Sequence, residues 1–112
     1  MLIENYSDSE ITNQEFQDII NNSREIVVVN FFAEWCINCL MMHPIVEYLA
    51  EQMNEIKFVK INIEDNQGLA KKYNITKIPC LIIFKEGTEV NRLKGNPTVE
   101  IIENTIKNCI KC

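Results

Sequence analysis

The sequence lacks the features that mark several large classes of protein. No apolar run approaches the roughly 18 residues that a membrane-spanning helix needs. Residues 1–8 have neither the basic start nor the apolar middle of a secretion signal, so we expect a cytoplasmic protein. The sequence also contains no phosphate loop, dinucleotide-binding fingerprint, internal repeat or low-complexity segment.

Positive charge is scarce as well. Lysine and arginine number 11 against 16 aspartates and glutamates, which gives a net charge of −5, and the lysines are scattered. This pattern disfavours nucleic acid and anionic membrane surfaces as partners. At 112 residues and 46% hydrophobic content, the chain can fill one core and not two. We therefore expect a monomer with a single domain over residues 1–112.

Two cysteines stand where a strand gives way to a helix. Residues 28–35 have strand character, residues 40–53 have helical character, and Cys36 and Cys39 lie between them. Unpaired backbone N–H groups and the helix dipole stabilise a thiolate at such a position, so we expect Cys36 to be an exposed nucleophile. Cys39, one turn further, can close a disulfide with it and act as the resolving thiol. The alternatives are two buried structural thiols or half of a zinc site.

The surrounding residues resemble the thioredoxin family over roughly residues 12–108. The matching motifs are Ala33-Glu34-Trp35-Cys36 with Cys39, Pro44 inside the second helix, Val59-Lys60-Ile61-Asn62-Ile63, Ile78-Pro79 before Leu81-Ile82-Ile83-Phe84-Lys85-Glu86-Gly87, and Gly95. The resemblance implies the thioredoxin fold. This is an α/β fold with a central mixed sheet of five or four strands and four helices distributed over both faces.

The resemblance also implies a groove that binds a disulfide-bearing client protein. Trp35 would shield the thiolate and contact the client, although it could instead be only a core aromatic. A cis peptide is implied at Ile78-Pro79, which would leave the Ile78 backbone to pair with an extended client segment. Gly95 would form the other wall, because a missing side chain lets the client approach the backbone.

Ile37 and Asn38, which should also contact the client, stand where thioredoxins usually carry Gly-Pro. The residues between the cysteines influence the helix start and the relative stability of thiolate and disulfide. We therefore expect a reduction potential less reducing than the family's typical value of about −270 mV.

Asn30 stands where the family keeps a buried aspartate behind the resolving cysteine. An amide cannot accept the cysteine's proton. The only histidine, His43, comes four residues after Cys39 and shares its helix face, so we hypothesise that it replaces the aspartate as proton acceptor. The alternative is a histidine with no chemical role. Lys60 should lie near Asn30, but it cannot form the family's usual ion pair with a neutral amide.

Three further cysteines bring the total to five, an odd number that suits a reducing compartment better than a secreted disulfide scaffold. Cys80, directly after Pro79, is either a small buried hydrophobic residue or a third redox sulfur. Cys109 and Cys112 form a second Cys-x-x-Cys pair. They could be idle, form their own disulfide, relay electrons or bind metal with a partner, but their distance from the first pair disfavours a four-cysteine zinc site.

The remaining sequence has alternating patterns of helix and strand. Thr12 and Glu15 have the spacing of a capping box for a first helix that ends at residues 21–23 and presents Phe16, Ile19 and Ile20 on its apolar face. Further helices are predicted at 36–53, 67–73 and 98–109, strands at 26–33, 57–63, 81–85 and 89–93, and a hairpin turn at 86–88. Residues 1–11 could add an edge strand.

These patterns predict a thioredoxin-type protein-disulfide reductase that takes part in cell redox homeostasis. The resemblance implies no bound cofactor or metal, client proteins with disulfides as partners, and electrons from NADPH through a flavin-dependent reductase. The alternatives are a thioredoxin-fold interaction module with weak or no turnover, a more oxidising disulfide oxidase or isomerase, and a metal-binding protein.

Overall fold

The structure, a computed structural model, describes residues 4–6, 12–21 and 26–111, and for residues 4–6 the backbone alone. Strands and helices alternate along this part of the chain before a hairpin and a last helix. The strands are β1 (Glu4–Tyr6), β2 (Ile26–Phe32), β3 (Lys57–Asn62), β4 (Cys80–Lys85) and β5 (Thr88–Lys94), and the helices are α1 (Asn13–Asn21), α2 (Ile37–Gln52), α3 (Gln67–Lys72) and α4 (Val99–Lys111).

The strands form one mixed sheet in the order β1-β3-β2-β4-β5. β1 and β2 run parallel to β3, whereas β4 is antiparallel to both β2 and β5. The predicted five-stranded sheet is therefore confirmed, and part of residues 1–11 supplies the edge strand. β2 lies at its centre with all seven residues buried, which explains why this strand is nearly all apolar.

Successive residues of β2 contribute to two different cores, one on each face of the sheet. Val28 packs with side chains of α2 and α4, including Met42 and Ile106. Val29 packs on the opposite face with side chains of α1 and α3, including Phe16. Helices thus cover both faces, as the sequence predicted.

The start of α1 is a capping box, as predicted. The backbone N–H of Thr12 donates to Glu15 Oε1 at 2.7 Å, and the backbone N–H of Glu15 donates to Thr12 Oγ1 at 3.0 Å. Two N–H groups that the helix itself leaves unpaired are satisfied in this way. The helix is described as far as Asn21, and the other two residues predicted to end it lie outside the described residues.

The hairpin between β4 and β5 turns on two residues rather than three. Glu86 and Gly87 both have positive φ angles, of 52° and 80°, as a tight hairpin turn requires. Thr88 is already part of β5 and pairs with Lys85 of β4, so its assignment to the turn was wrong. A Cβ on Gly87 would meet only the end of the exposed Asn21 side chain, which can move, so the positive φ is the main reason for glycine here.

Other predicted boundaries differ by one or two residues because side chains end the elements. β3 stops at Asn62, whose Oδ1 accepts the backbone N–H of Glu64 at 2.8 Å, so Ile63 lies in the following turn. Thr98 Oγ1 accepts the N–H of Ile101 at 3.2 Å and precedes α4, which continues to Lys111. In the described part of the chain, no helix is long and apolar enough to cross a membrane.

Candidate active site

Cys36 is the N-cap of α2, at the end of the turn that follows β2. Its Sγ accepts the backbone N–H of Cys39 at 3.2 Å, and its carbonyl accepts the N–H groups of Cys39 and Leu40 at 3.1 and 3.2 Å. The residue is 8% exposed, so the expectation of an exposed sulfur was wrong. The predicted position at the helix start is confirmed, with a backbone N–H group directed at the sulfur.

Cys39 lies in the first turn of α2 and is fully buried, in a cluster with Cys36, Phe32 and Ala33. Burial raises the pKa of its thiol to about 12, and the hydrogen bond with Cys36 acts in the same direction. Both cysteines are free thiols. Cys39 therefore keeps its proton near neutrality, and it must lose that proton before it can attack a disulfide.

A loop after α3 places two backbone carbonyl groups beside this pair. The peptide between Ile78 and Pro79 is cis, which confirms the prediction. The Cys36 thiol donates to the Ile78 carbonyl oxygen at 3.9 Å, and the N–H of Gly95 donates to the Pro79 carbonyl oxygen at 2.9 Å. The loop thus contacts both the Cys36 sulfur and the backbone of Gly95.

Gly95 has a conformational role that the sequence reasoning did not identify. Its φ angle is +78°, a region that L-residues with side chains rarely adopt. The nearest atom to a Cβ placed there would be Lys77 Cε at 3.7 Å, an ordinary contact distance. The space beside Gly95 is therefore open except for the Lys77 side chain.

Exposed apolar side chains surround the cysteines. We call this set the apolar rim, and it consists of Trp35 (68% exposed), Ile37 (72%), Leu40 (55%) and Met41 (60%). The exposure of Trp35 argues against a purely structural role in the core. Leu40 and Met41 were missed in the sequence, although their helical positions beside buried Cys39 and Met42 place them on the outer face of α2.

Asn96 was also missed in the sequence. Its side-chain Nδ2 donates to the carbonyl oxygen of Asn38 at 2.9 Å, which joins the loop after β5 to the turn between the two cysteines. No local sequence pattern around Asn96 predicts this contact, because Asn96 and Asn38 are 58 positions apart.

Asn30 and Lys60 lie on neighbouring strands behind the cysteines and pair in the sheet register. Asn30 is 1% exposed, and among the described residues neither atom of its amide has a hydrogen-bond partner. Lys60 Nζ lies 5.0 Å from the centre of the Phe32 ring instead. Lys60 is thus placed over an aromatic ring of the same strand that carries Asn30.

His43 packs its ring edge-on against Phe32, with 5.2 Å between the ring centres. Its Nε2 atom is buried and has no hydrogen-bond partner in the described part of the chain, although the residue as a whole is partly exposed. Burial lowers the pKa of the imidazole most, and Lys60 lowers it further, while Glu47 opposes them. His43 is therefore neutral near pH 7.

Cys80 and Cys109 are not brought to the pair. Cys80 is 1% exposed and packs with Ile82 on the face of the sheet opposite to α2. Burial is the main factor that raises the pKa of its thiol. These contacts favour the interpretation as a small buried hydrophobic residue. Cys109 is buried beside Lys85, at the other end of β4 from Cys80, which disfavours direct exchange with Cys36 in the same chain. Cys112 lies outside the described residues, and the described ones contain no cluster of three or more potential metal ligands.

Two adjacent thiols at a helix start, beside a cis-proline loop, define a site for thiol–disulfide exchange. A sequence model of the Thioredoxin family matches residues 7–108. The chain belongs to the thioredoxin family, and it is a thiol–disulfide oxidoreductase of the protein-disulfide reductase type.

Curated relatives and solved structures agree with this assignment. The chain is 41% identical to the thioredoxin of Chlamydia pneumoniae over 96 residues, which cover 86% of this chain and 92% of the relative. It is also 41% identical to the thioredoxin of Porphyra purpurea over 104 residues, covering 91% and 96%. The X-ray structure of Fasciola hepatica thioredoxin superposes with a TM-score of 0.84 at 31% identity, covering 95% of this chain and 98% of that one.

Proposed function

We propose that Cys36 and Cys39 carry out the exchange in two steps. The Cys36 thiolate attacks one sulfur of a client disulfide, forming a mixed disulfide and releasing the other client sulfur as a thiolate. Cys39, once deprotonated, attacks the Cys36 sulfur, closes the Cys36–Cys39 disulfide and releases the second client thiol. Two electrons pass from the cysteine pair to the client. The observation that carries this proposal is the 3.2 Å contact between the Cys39 N–H and Cys36 Sγ at the start of α2.

The client binds as an extended segment along the cis-proline loop. Its backbone pairs with that of Ile78, whose carbonyl oxygen lies 3.9 Å from Cys36 Sγ, so a chain in this position places its disulfide within reach of the nucleophile. Pro79 and Gly95 form the groove beside it. The apolar rim, together with Asn38, supplies the remaining contact surface.

The rest of the proposed cycle follows the family. Thioredoxins typically carry no bound cofactor, and the family implies client proteins and a reductase as partners. We propose that a flavin-dependent reductase returns electrons from NADPH to the Cys36–Cys39 disulfide. The protein would act as a cytoplasmic monomer with one domain over residues 1–112 and without metal, nucleic acid or membrane as partner.

Reduction of the insulin disulfides by dithiothreitol tests this function. The wild-type protein should accelerate the reaction, and Cys36→Ser should abolish the acceleration. Cys39→Ser should retain the attack but accumulate a mixed disulfide with insulin, visible on a non-reducing gel. The proposal fails if the wild-type protein gives no acceleration, or if Cys39→Ser accumulates the adduct through a sulfur other than that of Cys36.

A further inference from the structure

The resolving step needs a proton acceptor that the two cysteines do not provide. Cys39 is fully buried, and it becomes a nucleophile only as a thiolate. Its proton must pass to a group in its surroundings. Three polar or charged residues lie near Phe32, which packs with Cys39. Lys60 lies over the Phe32 ring, Asn30 pairs with Lys60 in the sheet, and His43 packs on Phe32 from the helix that carries Cys39.

Two of these three cannot take the proton. Asn30 has a neutral amide, which is not a base at physiological pH. Lys60 is a cation and has no acceptor site while it is charged. The Asn30 amide adds no charge of its own, whereas the Lys60 ammonium lies 5.0 Å from the Phe32 ring centre.

His43 follows Cys39 by one turn of α2 and shares a neighbour, Phe32, with it. Residues four apart on a helix have Cβ atoms about 5–6 Å apart, so the His43 ring lies on the same side of α2 as the Cys39 thiol. The ring packs on Phe32, which also packs with Cys39. Nε2 faces the interior without a protein partner among the described residues, and the partly exposed residue links that interior to the solvent.

We propose that His43 is the general base of the resolving step, a role that rests on the function proposed above. As Cys39 attacks the mixed disulfide, its thiol proton moves to His43 Nε2. The sulfur–sulfur bond to the client breaks, the Cys36–Cys39 bond forms, and the client leaves as a thiolate. The imidazolium then returns the proton to the departing thiolate or to water, so protons and electrons balance.

The charged groups around His43 suit this role. Lys60 from β3 and the burial of the ring favour the neutral imidazole, which has a free lone pair, and Glu47 on α2 favours the imidazolium that forms during the step. The histidine can therefore accept a proton near neutrality and release it again.

Stopped-flow reaction with a symmetric nitrobenzoate disulfide separates the two steps, because each step releases one coloured thiol. His43→Gln should leave the first phase unchanged and slow the second about tenfold or more at pH 7. The wild-type second phase should also lose rate on the acid side of an inflection that His43→Gln removes. Glu51→Gln, an exposed change on the same helix, is the control and should alter neither phase.

Two further variants make the result specific. Glu47→Gln should move the inflection to lower pH, since the carboxylate no longer stabilises the imidazolium. Adding Asn30→Asp to His43→Gln should restore part of the second-phase rate by supplying a different base. The inference is overturned if His43→Gln keeps both the rate and the pH profile of the second phase. If that happens while insulin reduction persists, only the role of His43 is wrong; loss of wild-type insulin reduction would instead refute the proposed function.

Discussion

The side-chain amide of Asn96 donates a 2.9 Å hydrogen bond to the carbonyl oxygen of Asn38, the residue that precedes Cys39. The bond connects two segments that would both contact a client, namely the loop at Gly95 and the turn between the cysteines. It therefore holds the loop at Gly95 against the turn between the cysteines.

We expect Asn96→Ala to weaken client reduction by severalfold in kcat/KM, because the loop at Gly95 is then less well positioned. The free energy of unfolding should fall by about 0.5–1.5 kcal/mol, the usual contribution of one hydrogen bond. Thr105→Ala removes a side-chain bond of 2.7 Å to the Ile101 carbonyl within α4, and it should leave kcat/KM unchanged, with little effect on stability because alanine favours the helix. Equal kcat/KM values for the two variants would show that the Asn96 bond does not position the groove.

Asn30 should lower stability because its buried amide has no protein partner among the described residues. A buried polar group without a hydrogen bond costs about 1–3 kcal/mol. Asn30→Leu, which has a similar shape, should therefore raise the free energy of unfolding by about 1 kcal/mol or more in a urea titration. Asn62→Leu is the matched control, since it loses a 2.8 Å bond to the N–H of Glu64 and should be destabilised. A loss of stability in both variants would contradict this account of Asn30.

The elements that could be predicted correctly are those whose signals are local in the sequence. Thr12 and Glu15 are three residues apart, and β2 is a continuous apolar run, so composition and spacing were sufficient. Cys36 and Cys39 were found for the same reason, and the family resemblance then located Ile78, Pro79 and Gly95.

The remaining features depend on contacts between distant segments. The Asn96–Asn38 bond requires the folded sheet, because Asn96 follows β5 and Asn38 lies at the start of α2. The low exposure of Cys36 depends on the Ile78 loop packing beside it, which the helix-start pattern does not reveal. The contact of Lys60 with Phe32 likewise joins two different strands. In each case the residue is visible in the sequence, but its contact partner is determined by tertiary packing.

The buried thiol of Cys39 should make the folded state less stable in alkali. Its pKa is raised from 9.0 to about 12, so between these values the unfolded chain releases the proton while the folded chain keeps it. Stability from this group is complete below pH 9 and is lost as the pH rises toward 12, at up to about 1.4 kcal/mol per pH unit.

Urea titrations of the reduced protein at pH 8 and pH 10.5 measure this effect. The difference in unfolding free energy between the wild-type protein and Cys39→Ala should shrink by about 2 kcal/mol over that interval. Met42→Ala, another buried change on α2, should show a difference that does not depend on pH. A constant difference for Cys39→Ala as well would show that the thiol ionises at similar pH in both states.

The residues between the cysteines should make the Cys36–Cys39 disulfide easier to reduce than in thioredoxins with Gly-Pro. Asn38 is the second residue of α2, and an N-cap side chain can accept from the N–H of the second or third residue of a helix; in the structure Cys36 Sγ accepts from the third, Cys39. Proline has no N–H at this position, so asparagine offers the Cys36 thiolate a donor that proline removes. An additional donor stabilises the reduced protein and raises its potential above about −270 mV.

Asn38→Pro tests this explanation directly. A hydrogen bond to a charged group contributes about 1.5–3 kcal/mol, and 30 mV corresponds to about 1.4 kcal/mol for a two-electron couple, so the potential should fall by about 30–60 mV. Asn38→Ala keeps the N–H and should retain the wild-type potential. Equilibration with a dithiothreitol couple measures all three proteins. If Asn38→Ala shifts the potential as far as Asn38→Pro, the asparagine side chain rather than its N–H group sets the value.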